Sequence, residues 1–350
     1  MIPNRKQKLV FAFLLGATTL LVVSALCEVA LRIRERAFIQ GIRDAGESAG
    51  VTPSDIPGLN YTLRPGYRHN DIVFNRHGFN MPDRPLEKAD GLIRLFVIGD
   101  SVTQGVGISA THEAFPNRLE KKLQSAWPDI NLEVWNGGVG GYNAEQILIF
   151  MKHVIPPFRP DAILYLFNFN DYWEPNQYFH GQPAIPPDQL QEIGRSGLLD
   201  WLKRFRVVLL IRDNYNRLVY RIRGYAPVYV DQKIEYPSWQ KMKANIAEMK
   251  NHALEISTPF AVIVHPNQQF LFRSDSQNRA HRDLVDFLRE ENIPHLELIE
   301  SLKPRRRDAI YLPDGNHMRP EGYQLLARIV ADWLIENPSI VNIPPHNPAQ

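Results

Sequence analysis

A single cysteine, Cys27, in 350 residues leaves no intramolecular disulfide to hold the fold. Because Cys27 lies in an apolar run, it says little about redox compartment. An excess of one charge is also missing. The 40 Lys and Arg nearly balance 38 Asp and Glu, for a formal net charge of +2, so nothing global argues for a nucleic-acid partner. Histidine pairs at metal-ligand spacing are absent, as are a GxGxxG motif and a Walker lysine, so neither a metal nor a nucleotide cofactor is expected. What is present, 44% apolar and 22% charged residues, is the composition of a globular chain with ample length for a core.

One apolar run stands apart. Residues 9–27, LVFAFLLGATTLLVVSALC, carry no charge. As a helix they would extend about 28 Å, close to the hydrocarbon thickness of a bilayer. Arg5, Lys6 and Lys8 precede the run and Arg32, Arg34 and Arg36 follow it, so the positive-inside rule is tied. The alternatives are a signal peptide cut after Val23-Ser24-Ala25 and a soluble core helix. The run continues past that cut, which favours an uncleaved anchor over residues 1–36.

Residues 37–91 are polar and punctuated by Pro and Gly, and read as a stalk followed by a small β-rich collar, with a hairpin expected around Arg76-His77-Gly78. Five apolar, β-rich runs follow at 94–98, 132–135, 162–167, 260–264 and 295–299. Helical periodicity fills 113–127, 144–154, 238–256 and 277–291, and a last helix runs from Pro320 to about 336. Apolar strands alternating with amphipathic helices predict a parallel sheet covered on both faces, over residues 92–337. The alternation breaks once, where an insertion at 172–237 adds about 65 residues against a usual link of about 2 to 6. The tail, 338–350, has too little apolar content to pack and is expected to be disordered.

Four short segments fall at or just after the carboxyl ends of these strands, where open α/β sheets bind ligands. They are GDSVTQGVG at 99–107, NGGVGG at 136–141, NFND at 168–171 and DGNH at 314–317. A serine hydroxyl becomes a good nucleophile when a histidine takes its proton and a carboxylate fixes that histidine's tautomer. Ser101 follows the first strand, and Asp314 lies three residues before His317 in a turn. Attack on an ester puts negative charge on its carbonyl oxygen. The backbone amide of Gly141 and the side-chain amide of Asn170 are candidate donors to that charge. Separately, three of the segments have a plain structural reading: Asp100-Ser101 and Asp-x-x-His as helix caps, and the glycine run as a flexible or phosphate-cradling loop. His265, after the fourth strand, reads as a structural histidine, with a substrate contact as the alternative, and Asp171, beside Asn170, reads as a supporting hydrogen-bond partner in preference to a second base.

As an ordered set, these blocks resemble the SGNH (GDSL-type) hydrolases across roughly 94–336. The resemblance implies a three-layer, flavodoxin-like α/β/α fold with a five-stranded parallel sheet. It also implies Ser101 as nucleophile, His317 as base and Asp314 as its orienter. The oxyanion donors would be the Ser101 N–H, the Gly141 N–H and the Asn170 side chain. Asn168 stands where the family usually has glycine and is expected to narrow or polarise the substrate pocket. Asn75-x-x-Gly-Phe79 is similar to membrane-anchored bacterial members, which implies an extracytoplasmic catalytic domain, periplasmic if the cell is Gram-negative.

The expected function is therefore a serine esterase acting on an oxygen ester, such as an O-acyl group on an envelope glycan or lipid. An O-acyltransferase using the same triad, and an inactive binding or assembly module on the same fold, are the alternatives. Within the insertion, residues 195–223 carry eight Lys or Arg against Asp200 and Asp213, with apolar residues at helical spacing. They are read either as a lid helix or as a basic helix lying on an anionic membrane surface.

Overall fold

The computed structural model describes residues 5–44, 50–172, 207, 234, 236–274, 278–312 and 314–343. Five parallel strands form its centre: β5 (Ile93–Gly99), β6 (Leu132–Gly138), β7 (Ala162–Asn168), β8 (Phe260–His265) and β9 (His295–Glu297), in the order β6-β5-β7-β8-β9. Every residue of β6, β7 and β8 is buried, as expected of strands sandwiched between helical layers. Helices α3 (Phe115–Ala126) and α8 (Pro320–Glu336) pack together, as do α4 (Ala144–His153) and α5 (Pro237–Glu255). Proline in the first turn of α3, α5 and α8 pre-sets the backbone dihedral where no intrahelical donor is needed. At α4, Asn143 and Gln146 form a reciprocal capping box. Helix α6 (Arg279–Glu290) turns Ala280, Leu284 and Leu288 inward, and the single-turn α7 (Ile299–Leu302) follows β9. The chain leaves β5 with β6 on one side and β7 on the other, so a crevice opens at the carboxyl end of β5. Ser101 begins the short helix α2 (Ser101–Gln104) at that point.

The five expected sheet strands and the five helices expected around them are present, but β6 continues through Gly137 and Gly138, and β9 stops at Glu297. Larger differences lie at the two ends. Helix α1 (Arg5–Asp44) extends well beyond the apolar run, through the first residues assigned to a stalk, because no proline interrupts them. Its stretch from Arg5 to Ile33 contains an 18-residue window of mean hydropathy 2.4, is long and apolar enough to cross a membrane, and has none of that window buried against the rest of the chain. At the other end, the tail is not wholly loose. Residues Pro338–Val341 form a 3₁₀ turn, and Val341 and Ile343 are buried against the core. Two well-placed apolar side chains suffice to hold six residues, which average composition conceals.

The collar is likewise part of the main core. Strands β1 (Val51–Pro53) and β2 (Tyr61–Leu63) pair antiparallel, and β3 (Arg68–His69) and β4 (Ile72–Val73) make the second hairpin. That hairpin turns at Asn70 and not at the expected Arg76-His77-Gly78. There, the Asn75 side-chain oxygen accepts from the His77 and Phe79 N–H groups and closes a side-chain turn instead. Phe79 is thereby delivered into an aromatic cluster, with ring centroids 5.1 Å from Phe158, 5.3 Å from Trp135 and 5.8 Å from Phe96. Arg94 is buried beneath it, paired with Glu133 and donating to the carbonyls of Leu86 and Phe158 at 2.8 and 2.7 Å. Arg84 adds an ion pair to Glu120 at 2.6 Å. These contacts tie 79–94 to the sheet, so the collar shares its core. The insertion expected at 172–237, with its basic helix, lies almost wholly outside the described residues.

Candidate active site

Strand β5 ends at Gly99, where a Cβ would stand 2.2 Å from Thr103 Oγ1 and 2.8 Å from the Leu166 carbonyl oxygen. Only glycine lets the chain turn that tightly between β5 and α2. Asp100 caps α2, accepting from the Val102 N–H at 2.9 Å, and Ser101 takes the first helical position. Its backbone N–H, like the other first-turn donors of a helix, is left without an intrahelical partner.

His317 arrives from the turn that precedes α8. Its Nε2 lies 2.8 Å from Ser101 Oγ, and its Nδ1 lies 2.7 Å from Asp314 Oδ2. Asp314 Oδ1 also accepts the backbone N–H groups of Asn316 and His317, at 2.9 and 3.0 Å, so the carboxylate shapes the turn that presents the ring. Burial raises the Asp314 pKa, but the His317 hydrogen bond and these two amides outweigh it, leaving a net shift below the usual carboxylate value. For His317, burial pulls the pKa down, and the hydrogen bond and charge of Asp314, with the charge of Asp100, lift it above the ordinary 6.5. A carboxylate holding Nδ1–H leaves Nε2 as acceptor for the serine proton.

The four segments meet here. Asp100, fully buried, gathers the nucleophile side: its Oδ2 accepts from Asn168 Nδ2 at 3.1 Å and Asn170 Nδ2 at 3.0 Å, and lies 3.3 Å from Ser101 Oγ. Asn170 keeps one of its two amide hydrogens for another acceptor. In the glycine loop, a Cβ on Gly140 would lie 3.6 Å from that of Ser101. Gly141 has φ +82°, a left-handed conformation that glycine adopts without steric cost. Its N–H has no hydrogen-bond partner among the described residues. Behind Asn170, Asp171 accepts from the Asn168 N–H at 3.0 Å and from the Tyr165 hydroxyl at 2.6 Å. Asp171 is thus joined to Asn168 and not to the Asn170 side chain. Burial, then the neighbouring Asp100 charge, pushes its pKa well above the usual value.

The two candidate substrate contacts are both interior, which leaves His265 its structural reading. Asn168 and His265 are register partners at the ends of β7 and β8, and both are fully buried, with no surface for a substrate to touch. Asn168 spends its side chain on Asp100 and on the Phe169 N–H. The His265 ring packs 5.8 Å from that of Tyr311, and its pKa is lowered to about 3 by burial and the proximity of His317. Strand alternation alone does not say which face of a doubly covered sheet a terminal residue meets, and here both side chains lie inside a packed layer. Asp100 was readable only as a helix cap; its junction role needs the contacts from β7, which no local spacing discloses.

No curated protein matches the chain. Among solved structures, a two-domain esterase active on acetylated mannans aligns at 11% identity and TM-score 0.45, over 74% of this chain; the match spans 53% of that esterase's length. A lipase/acylhydrolase from Enterococcus faecalis aligns at 15% identity and TM-score 0.42, over 73% of this chain and 99% of the other. An acetylxylan esterase from Geobacillus stearothermophilus, in a catalytic mutant form, aligns at 13% identity and TM-score 0.43, over 73% and 97% of the two chains. The family model for GDSL-like lipases and acylhydrolases matches residues 97–325, from the middle of β5 into α8, so it takes in all four segments around Ser101. The chain belongs to the GDSL-like lipase/acylhydrolase family.

Proposed function

We propose that the protein is a serine esterase in which Ser101, His317 and Asp314 form the catalytic relay. The observation that carries this reading is the unbroken chain from Ser101 Oγ through both ring nitrogens of His317 to Asp314, at 2.8 and 2.7 Å. Ser101 Oγ attacks the ester carbonyl carbon while its proton passes to His317 Nε2. The charge gathered on the carbonyl oxygen is taken up by the N–H groups of Ser101 and Gly141 and the remaining amide hydrogen of Asn170. His317 then gives the proton to the departing alcohol oxygen, leaving an acyl-serine. Water, deprotonated by His317, releases the acid and regenerates Ser101.

The substrate class favoured is an O-acyl group on a hydroxyl-rich molecule such as an envelope glycan. Asn170 and Asn316, both only partly buried beside the relay, line it with polar side chains, which suit a hydroxylated substrate better than an alkyl chain. The length and apolarity of α1 support a membrane anchor.

A fluorophosphonate probe tests the reading. It is expected to label Ser101 in the full chain and to leave Ser101→Ala and His317→Ala unlabelled. Labelling of Ser101→Ala at the wild-type rate would overturn it. With an acetyl ester and an added sugar acceptor, release of free acetate is the expected product, and acetyl sugar would identify a transferase.

A further inference from the structure

Two glycines in succession, Gly140 and Gly141, make the loop beside Ser101 the least constrained backbone in the site, because neither carries a Cβ to limit its dihedrals. An oxyanion donor is useful only when its direction is fixed before the charge develops. Locally, one hydrogen bond, from the Tyr142 N–H to the Val139 carbonyl at 3.2 Å, closes a turn over the two glycines. The side-chain contacts on the peptide itself come from outside that turn, above all from the collar.

Tyr61, in β2, is fully buried, and its hydroxyl donates to the Gly140 carbonyl oxygen at 2.6 Å, across 79 positions of chain. That carbonyl belongs to the peptide unit joining Gly140 to Gly141. The peptide is trans, so its N–H, that of Gly141, projects from the opposite edge of the same plane. Holding the carbonyl therefore holds the amide hydrogen. The other side of Gly140 is held as well: its own N–H donates to Gln104 Oε1 at 2.7 Å. The Gln104 carbonyl in turn accepts from Asn80 Nδ2, a second collar residue, at 2.7 Å. Tyr61 is itself fixed, since its carbonyl accepts the Tyr142 hydroxyl and the two rings lie 5.4 Å apart.

We propose that Tyr61 is a positioning residue of the active site: its hydroxyl clamps the Gly140–Gly141 peptide so that the Gly141 N–H faces the oxygen that becomes negative when Ser101 attacks. The inference rests on the reading of Gly141 as an oxyanion donor. A hydrogen bond to the carbonyl also polarises the amide and makes its N–H the stronger donor. Burial and then the charge of Asp100 hold the Tyr61 pKa well above its ordinary value, so the hydroxyl stays protonated and donating throughout the working range. The collar, on this account, is part of the catalytic unit and not a spacer between anchor and enzyme.

The test is Tyr61→Phe in the full chain, which keeps the ring and removes only the donor. With a short soluble ester, kcat is expected to fall about 10- to 100-fold while KM changes by less than about threefold, a transition-state loss. The affinity for an alkylboronic acid, whose adduct with Ser101 carries the tetrahedral oxyanion, is expected to weaken by the same factor as kcat/KM. A second variant with p-aminophenylalanine at position 61 keeps a donor at the same place and is expected to restore kcat. If Tyr61→Phe does not fold, that second variant carries the test alone: near wild-type kcat supports the clamp, and a folded protein with kcat reduced overturns it. Wild-type kcat in a folded Tyr61→Phe also overturns it, as does a loss of kcat with unchanged boronic acid affinity. Ser101→Ala separates the two readings. If it retains turnover, the serine mechanism fails; if it is inactive while Tyr61→Phe is fully active, only the clamp fails.

Discussion

On the base side of the site, Asp314 and His317 stand three residues apart in one turn, with side-chain exposures of 47% and 22%, and the bonds that shape that turn are local. On the nucleophile side, Asp100, Asn168 and Asp171 are at most 1% exposed, and Asp100 is bound to side chains 68 and 70 positions away. One half is a short loop that carries chemistry and little else. The other is woven into the ends of β5 and β7, where the same hydrogen bonds serve stability and function. Losses on the base side should therefore appear in turnover alone, and losses on the nucleophile side in turnover and folding together.

The largest effect separates the halves most sharply. Ser101→Ala and His317→Ala are each expected to lower kcat by about 10⁶-fold, with the double variant little worse, because relay members act as a unit. His317→Ala should melt close to wild type in a calorimeter. A large drop in its melting temperature would show that the turn is structural after all. Asp314→Asn comes next, at about 10⁴-fold, since it leaves the ring in place and loses its tautomer control. Its pH profile carries the sharper information. Activity requires neutral His317, so kcat/KM rises as pH rises through the His317 pKa, which the wild-type protein sets above 6.5. With the Asp314 charge gone, the inflection is expected at lower pH, and an unmoved inflection would assign it to another group.

Asn170→Ala is expected to cost about 10²- to 10³-fold in kcat, the usual loss for one oxyanion donor. Asp100→Ala tests the interwoven half. It strips Asn168 Nδ2 of its buried acceptor and α2 of its cap, which should lower unfolding free energy by about 1–3 kcal/mol in urea titrations, together with a loss of turnover. Intact stability in Asp100→Ala would collapse the contrast between the halves.

The same contrast accounts for what the sequence discloses. Asp314 and His317 are legible because the contact joining them is set by a spacing of three in a turn. The sheet is legible because strands buried on both faces read as continuous apolar runs such as AILYLF at 162–167. Asp100 is visible only as a cap, since its contacts with Asn168 and Asn170 come into view only once β5 and β7 lie side by side. Asn168 and His265 illustrate the converse. Their position at the strand ends is correctly readable, but their burial depends on which layer closes over each, and Tyr311, which covers His265, lies 46 positions further along. Tyr61 carried no signal at all, being one tyrosine in a polar stretch until β2 lodges it against Gly140.

Asp171 should give the smallest effect on activity and the clearest on stability. It touches neither Ser101 nor His317, yet it is fully buried beside Asp100, and both burial and that neighbouring charge favour its protonated form in the folded protein. In the unfolded chain its pKa returns to about 3.9. Between that value and the raised folded value, the folded state holds a proton that the unfolded state lacks, so this group's contribution to stability falls as pH rises. Asp171→Asn replaces the acid by a neutral group of the same shape, whose oxygen still accepts from the Asn168 N–H and the Tyr165 hydroxyl. Urea unfolding at a series of pH values from 5 upward is expected to show the variant gaining on wild type as pH rises towards the raised folded-state pKa, with kcat changed by less than about threefold. Parallel stability curves for the two proteins would show that Asp171 is ionised in the fold, and that the Asp100 cluster holds two buried carboxylates and not one.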